Sequence, residues 1–118
     1  MTVTRLFHFT CAHSAPRIEA AGMVVRPWRQ PFLGGVELSW WTIEGRPPAA
    51  ALGLTGRGGL VKCDRMAYRF RAIDGDVVRW VEVRGTLPHD RVLHLEAARG
   101  ARPATWWVAF APVTVEAA

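Results

Sequence analysis

The residues best able to do chemistry in this chain fall into three groups. His8, Cys11, His13 and Cys63 supply imidazoles and thiols, the donor set of a structural zinc site. Their spacing is irregular and Cys63 is remote, whereas zinc modules place their ligands in paired knuckles. Cys11 and His13 could also act as nucleophile and base, but no orienting partner or oxyanion motif accompanies them. The second group is basic: Arg65, Arg69 and Arg71, with Ala67, would line one face of a strand and suit phosphate, or form a solvated basic face. The third is Glu82, a carboxylate set among Val and Trp residues, which could serve as an acid or simply pair with Arg79 or Arg84.

Positioning these side chains requires mostly strands. The aromatic-rich segment from Thr4 to Thr10 reads as a strand with Leu6, His8 and Thr10 on one face and Phe7, Phe9 and Cys11 on the other. Ser14 can cap a short helix, Pro16 suits its first turn, Ala15, Ile18 and Ala21 give it an apolar face, and Gly22 suits its left-handed end. Met23 to Val25 is a brief strand, and Pro27, Pro31, Gly34 and Gly35 mark an irregular loop. Val36 to Thr42 is a strand that splits Trp40 and Trp41 between faces. A short helix spans Ala49 to Leu52 after Pro47 and Pro48. Further strands are expected over Leu60 to Cys63, Ala67 to Ile73, Val77 to Arg84, Arg91 to Glu96 and Thr105 to Val115, with Asp74 to Asp76 as a hairpin turn and Pro112 at an edge or bulge. The glycine-rich stretch from Gly53 to Gly59 lacks the Lys-Ser/Thr of a phosphate loop and reads as a loop.

The segment Leu6-Phe7-His8-Phe9-Thr10, followed by a helix and by Gly22-Met23-Val24-Val25-Arg26-Pro27, resembles the opening of the ADP-ribosyltransferase superfamily, which includes poly-ADP-ribose polymerases, DNA-modifying toxins and RNA 2′-phosphotransferases. Val36-Glu37-Leu38-Ser39-Trp40-Trp41-Thr42 is similar to that family's next strand, where an aromatic residue precedes Ser or Thr. The resemblance covers the first half of the chain. It implies NAD⁺ as cofactor, with His8 hydrogen-bonding a ribose hydroxyl, Thr10 assisting, and Trp41 or Tyr68 stacking on nicotinamide. Phe9, Thr42 and Arg65 would complete the cofactor contacts. The run from Ala104 to Val113, which looks like the family's late acidic strand, begins without an acid, so Glu82 stands in as the catalytic carboxylate beside His8.

The chain has 118 residues, enough for one domain, 1–118, and half of them are hydrophobic, enough to form a core without disulfides. Strands dominate, so the expected fold class is α+β, a small split β-sheet sandwich with one or two short helices, ADP-ribosyltransferase-like. No run approaches a membrane span and the start lacks a signal pattern, which points to a cytoplasmic protein with free thiols. The net charge of +5 is carried almost wholly by dispersed arginines, with Lys62 the sole lysine. That balance allows a nucleic-acid acceptor for the transferred ADP-ribose, a non-enzymatic basic module binding nucleic acid or protein, or a merely basic surface.

Overall fold

A computed structural model describes residues 5–24, 28–30, 33–52 and 65–118. The strands are β1 (Phe7–Thr10), β2 (Met23–Val24), β3 (Trp28–Gln30), β4 (Val36–Thr42), β5 (Tyr68–Asp74), β6 (Val78–Arg79), β7 (Trp106–Ala109) and β8 (Val113–Ala117). The helices are α1 (Ala15–Ala21), α2 (Trp80–Val83) and α3 (His89–Glu96). The strands pair antiparallel in the order β2-β8-β5-β1-β4-β7-β6, with β3 on the first half of β4. The domain is thus a strand-rich α+β structure, and its sheet is continuous in pairing. It is pinched rather than divided: β1 and β4 share the single residue pair Phe7 with Thr42. Among the described residues no helix is long and apolar enough to cross a membrane.

Each side of this sheet has its own core. On one side Leu6, Trp41, Phe70, Ala109, Val113 and Val115 pack beneath Ala15 and Ile18 of α1. Pro16 fits the first turn of α1, and Gly22, at φ 69°, closes it by donating its N–H to the Ile18 carbonyl at 2.8 Å. Ser14 occupies the cap position, but its side chain makes no capping hydrogen bond. On the other side Leu38, Trp106 and Val108 pack against Trp80 of α2 and Val92 of α3. The indoles of Trp40 and Trp106 lie 5.0 and 5.9 Å from that of Trp80 between ring centroids, Trp40 tilted and Trp106 edge-on. The Trp80 Nε1–H donates to Glu96 Oε2 at 2.6 Å, and Arg84 binds both carboxylate oxygens at 2.8 Å. These bonds satisfy the Trp80 indole and the Glu96 carboxylate at the second core.

Several expectations need correction. The run Val77 to Arg84 is a strand only at Val78–Arg79; from Trp80 the chain turns into α2, which drives the Trp80 indole inward and leaves Glu82 exposed. Arg91 to Glu96 is helical, because Val92, Leu95 and Glu96 share one helical face toward Trp80 and Arg84, whereas two-residue alternation would separate Leu95 from the others. Asp74 to Asp76 is not a hairpin turn: β5 pairs with β1 and β8, while β6 pairs with β7 across the sheet. The expected long last strand is two strands, broken at Phe110 to Pro112, where proline cannot supply a ladder donor. The expected irregular loop after Pro27 contains β3, which forms an antiparallel pair with Val36 to Leu38. The Ala49–Leu52 helix is a 3₁₀ turn. The expected strand Leu60 to Cys63 and the loop Gly53 to Gly59 lie outside the described residues, as do Met1 to Thr4, Val25 to Pro27 and Pro31 to Phe32.

Replacing Trp80 by Ala should cost about 3–5 kcal/mol, a large share of the roughly 5–15 kcal/mol typical of a domain, since it empties the second core and strips Glu96 of a donor. Glu82→Ala should stay within about 0.5 kcal/mol. Urea unfolding midpoints for the two variants check the contrast; equal losses would show that α2 is not anchored through its indole.

Candidate functional site

His8 sits mid-way along β1, half-buried, on the face shared with the α1 core. Its Nδ1 lies 2.8 Å from the Trp40 carbonyl oxygen. A carbonyl only accepts, so the proton resides on Nδ1 and the neutral ring presents Nε2 as an acceptor on its far side. The bond falls next to the pinch, where β1 and β4 separate: a side-chain N–H there takes the place of a backbone ladder donor for β4. The ring also rests against the Trp41 indole, with centroids 5.2 Å apart and planes tilted by 44°. Burial pushes the His8 pKa below the usual 6.5, and the bond to the Trp40 carbonyl only partly opposes this.

The strand register decides which of the other expected residues join His8. Phe70 is its cross-strand partner, and Thr10 pairs with Tyr68. His8 and Tyr68 are therefore diagonal neighbours on one face, within reach of an aromatic ring. Thr10 is buried, whereas Tyr68 is 43% exposed and offers an open ring. Trp41 shares this face but is only 2% exposed, with its Nε1–H donating to Ser39 Oγ at 2.8 Å. It supports His8 from within the core and leaves Tyr68 as the accessible stacking surface.

The remaining expected residues lie elsewhere. Phe9 points to the opposite face, paired with Arg69. Thr42 is buried on that opposite face too, and its Oγ1 accepts the Glu44 N–H at 3.1 Å, a turn contact. Arg65 precedes β5 in an exposed turn, so it does not continue the row formed by Arg69 and Arg71. Glu82 stands on α2, which packs on the face opposite His8, so the structure does not bring the two together. Of the proposed zinc ligands, Cys63 is outside the described residues, Cys11 is buried with its Sγ 4.0 Å from Ser14 Oγ, and His13 is exposed. Among the described residues no three His, Cys, Asp or Glu side chains are placed to hold a metal ion.

Two supports of His8 were not anticipated from sequence. Ser39 could have been, because it lies two residues before Trp41 and so shares its face. The Trp40 carbonyl could not, because the register between β1 and β4 leaves no local signal. In comparisons with known proteins, no family model, curated protein or solved structure matches this chain.

The depressed His8 pKa sets a sign. The folded ring stays neutral where the unfolded ring, with its ordinary value near 6.5, is already protonated, so stability should be full above pH 6.5 and fall as pH drops from there through the folded value. Glu96, held below its usual 4.5 chiefly by its hydrogen bond from Arg84, loses its contribution only as pH falls from 4.5 through its own lower value. An NMR titration of the His8 ring should give a midpoint below 6.5, and His8→Asn should flatten the upper part of the stability–pH curve. A midpoint above 6.5 would contradict the desolvated geometry.

Proposed function

We propose that this chain is an ADP-ribosyltransferase-like domain that takes NAD⁺ or an ADP-ribose-like ligand over His8, Thr10 and Tyr68. One observation carries the reading: the Trp40 carbonyl holds the His8 imidazole in the Nδ1–H form, which leaves Nε2 as a fixed, neutral acceptor. A ribose hydroxyl is a matching donor. The ring is already oriented by its backbone partner and by Trp41, so little side-chain freedom is lost on binding. Tyr68, exposed on the same face, supplies a ring for the nicotinamide or adenine base. The order of an aromatic-rich strand bearing His8, then α1, then the left-handed Gly22 agrees with this reading.

Transfer of ADP-ribose additionally needs a group that stabilises the positive charge developing on the ribose. Glu82, on the far face, does not meet that need. The proposal therefore rests on ribose recognition, with transfer as the activity to be measured. His8→Asn keeps an amide N–H in place of Nδ1–H and deletes the Nε2 acceptor, so the fold should persist while NAD⁺ and ADP-ribose affinities fall by about 10-fold, the scale of one neutral hydrogen bond. Calorimetry with both ligands, together with label transfer from radiolabelled NAD⁺, tests this. Equal affinity of the variant and the parent, or no binding by the parent, would sink the assignment.

A further inference from the structure

The opposite face of the same strands carries a separate feature. Phe7 pairs directly with Arg71 and Phe9 with Arg69, so on this face two phenylalanines of β1 lie alongside two arginines of β5. Arg5 extends it beyond the start of β1. Helices α2 and α3 cover this side of the sheet over β4 and β7, through Trp80 and Val92. Over β1, β5 and β8 there is instead an open cleft of about 390 Å³ lined by Arg5, Phe7, Arg69, Arg71, Glu116 and the two residues after it. That volume falls within the roughly 300–1,000 Å³ of small-ligand pockets.

We propose that this cleft binds single-stranded nucleic acid, with Arg5, Arg69 and Arg71 on phosphates and the Phe7–Arg69 pair as a stacking platform for a base. The Arg69 guanidinium carbon lies 5.1 Å from the Phe7 ring centroid, and its Nη1 donates to the Gly45 carbonyl at 2.6 Å. The group is thereby fixed next to the ring face with most of its donors uncommitted to that bond, so that guanidinium and ring together offer a cationic, aromatic surface to a base. Arg71 is paired with Glu116, and both side chains are more than two-fifths exposed, at 44% and 43%. An ion pair so exposed contributes little to stability, so a phosphate can displace the carboxylate at small cost. The lining side chains carry three positive charges against one negative, the sign that a phosphodiester backbone requires. A buried apolar ligand would fit poorly among these charges, and an acidic peptide would leave the aromatic rings unused.

The surface does not rest on the His8 reading, because it faces the other way. A fluorescein-labelled oligo(dT) strand of about 15 nucleotides, followed by anisotropy, provides the test. With two to three phosphates engaged, affinity should fall about 7- to 20-fold between 50 and 200 mM salt. Arg71→Ala and Arg5→Ala should each weaken binding and lower the slope against log salt by roughly 0.7. Glu116→Gln should tighten binding by up to about 5-fold. The Arg71→Ala and Glu116→Gln variants break the same ion pair, so a merely structural role would move both in one direction, and that result would overturn the proposal. So would a matched duplex or polyglutamate binding as tightly as the single strand. His8→Asn should leave oligonucleotide binding unchanged, which separates failure here from failure of the nucleotide reading.

Discussion

Consecutive residues of a pleated strand point to opposite faces, and β4 places a tryptophan on each. Burying both Trp40 and Trp41 demands cover on both sides of the sheet, and the rest of the architecture answers that demand. Helix α1, with Ile18 and Ala15, closes over the Trp41 side. Helices α2 and α3 close over the Trp40 side and bring Trp80 against it. Burying indoles also means satisfying their N–H groups. Ser39 serves Trp41, Glu96 serves Trp80, and the Ala51 carbonyl serves Trp106 at 2.7 Å. In that last contact a 3₁₀ turn distant in sequence is tied to β7, so the demand of one donor fixes the path of a loop.

Cover on both sides is incomplete, and the proposed sites lie in the gaps. Along β1 and β5 the α1 side leaves His8 half-buried and Tyr68 exposed, while the other side leaves Arg71 and Glu116 in solvent. Helices this short cannot span a seven-strand path, which leaves the middle strands open at places where polar side chains can meet a ligand. The pinch between β1 and β4 adds to this. With one backbone pair joining the strands, the next carbonyl of β4 on that side needs another donor, and His8 supplies it.

Elements marked by local chemistry were legible in the sequence. Pro16 and Gly22 frame α1, and the apolar run of β4 emerges with its expected bounds, Val36–Thr42. The second half misled because its decisive contacts are tertiary. Val77 to Arg84 alternates well enough for a strand, but packing Trp80 against both Trp40 and Trp106 outweighs the β preference of its four valines. In Arg91 to Glu96 the helical face becomes apparent only once Glu96 is seen to answer Arg84 and Trp80. At the site, alternation alone separated His8 from Phe7 and Phe9 correctly. It could not pair Thr10 with Tyr68, because pairing depends on a register set far away in the chain. A strand would set Glu82 among Val and Trp side chains; on the helix only Trp80 is buried, and the carboxylate, like Val81 beside it, is exposed.

The two faces of β1 also explain how the proposed sites can coexist without interfering. His8 works as a neutral acceptor, and a nearby cation or anion would disturb the proton balance that burial and the Trp40 carbonyl maintain. Arg69 and Arg71 occupy adjacent strand positions to Tyr68 and Phe70, yet the pleat sends their charges to the far side of the sheet. On that side Gly45 and Phe7 engage Arg69, and Glu116 engages Arg71, each of them remote from the imidazole's core neighbours. A single strand pair thus separates the uncharged site proposed for ribose from the cationic surface proposed for phosphate. The separation follows from alternation itself: a slip of one residue between β1 and β5 would bring arginine beside His8 and phenylalanine beneath α1, exchanging the two chemistries. The register of this one ladder, held by the four pairs from Phe7–Arg71 to Thr10–Tyr68, is therefore what keeps a base and a cation from sharing a face.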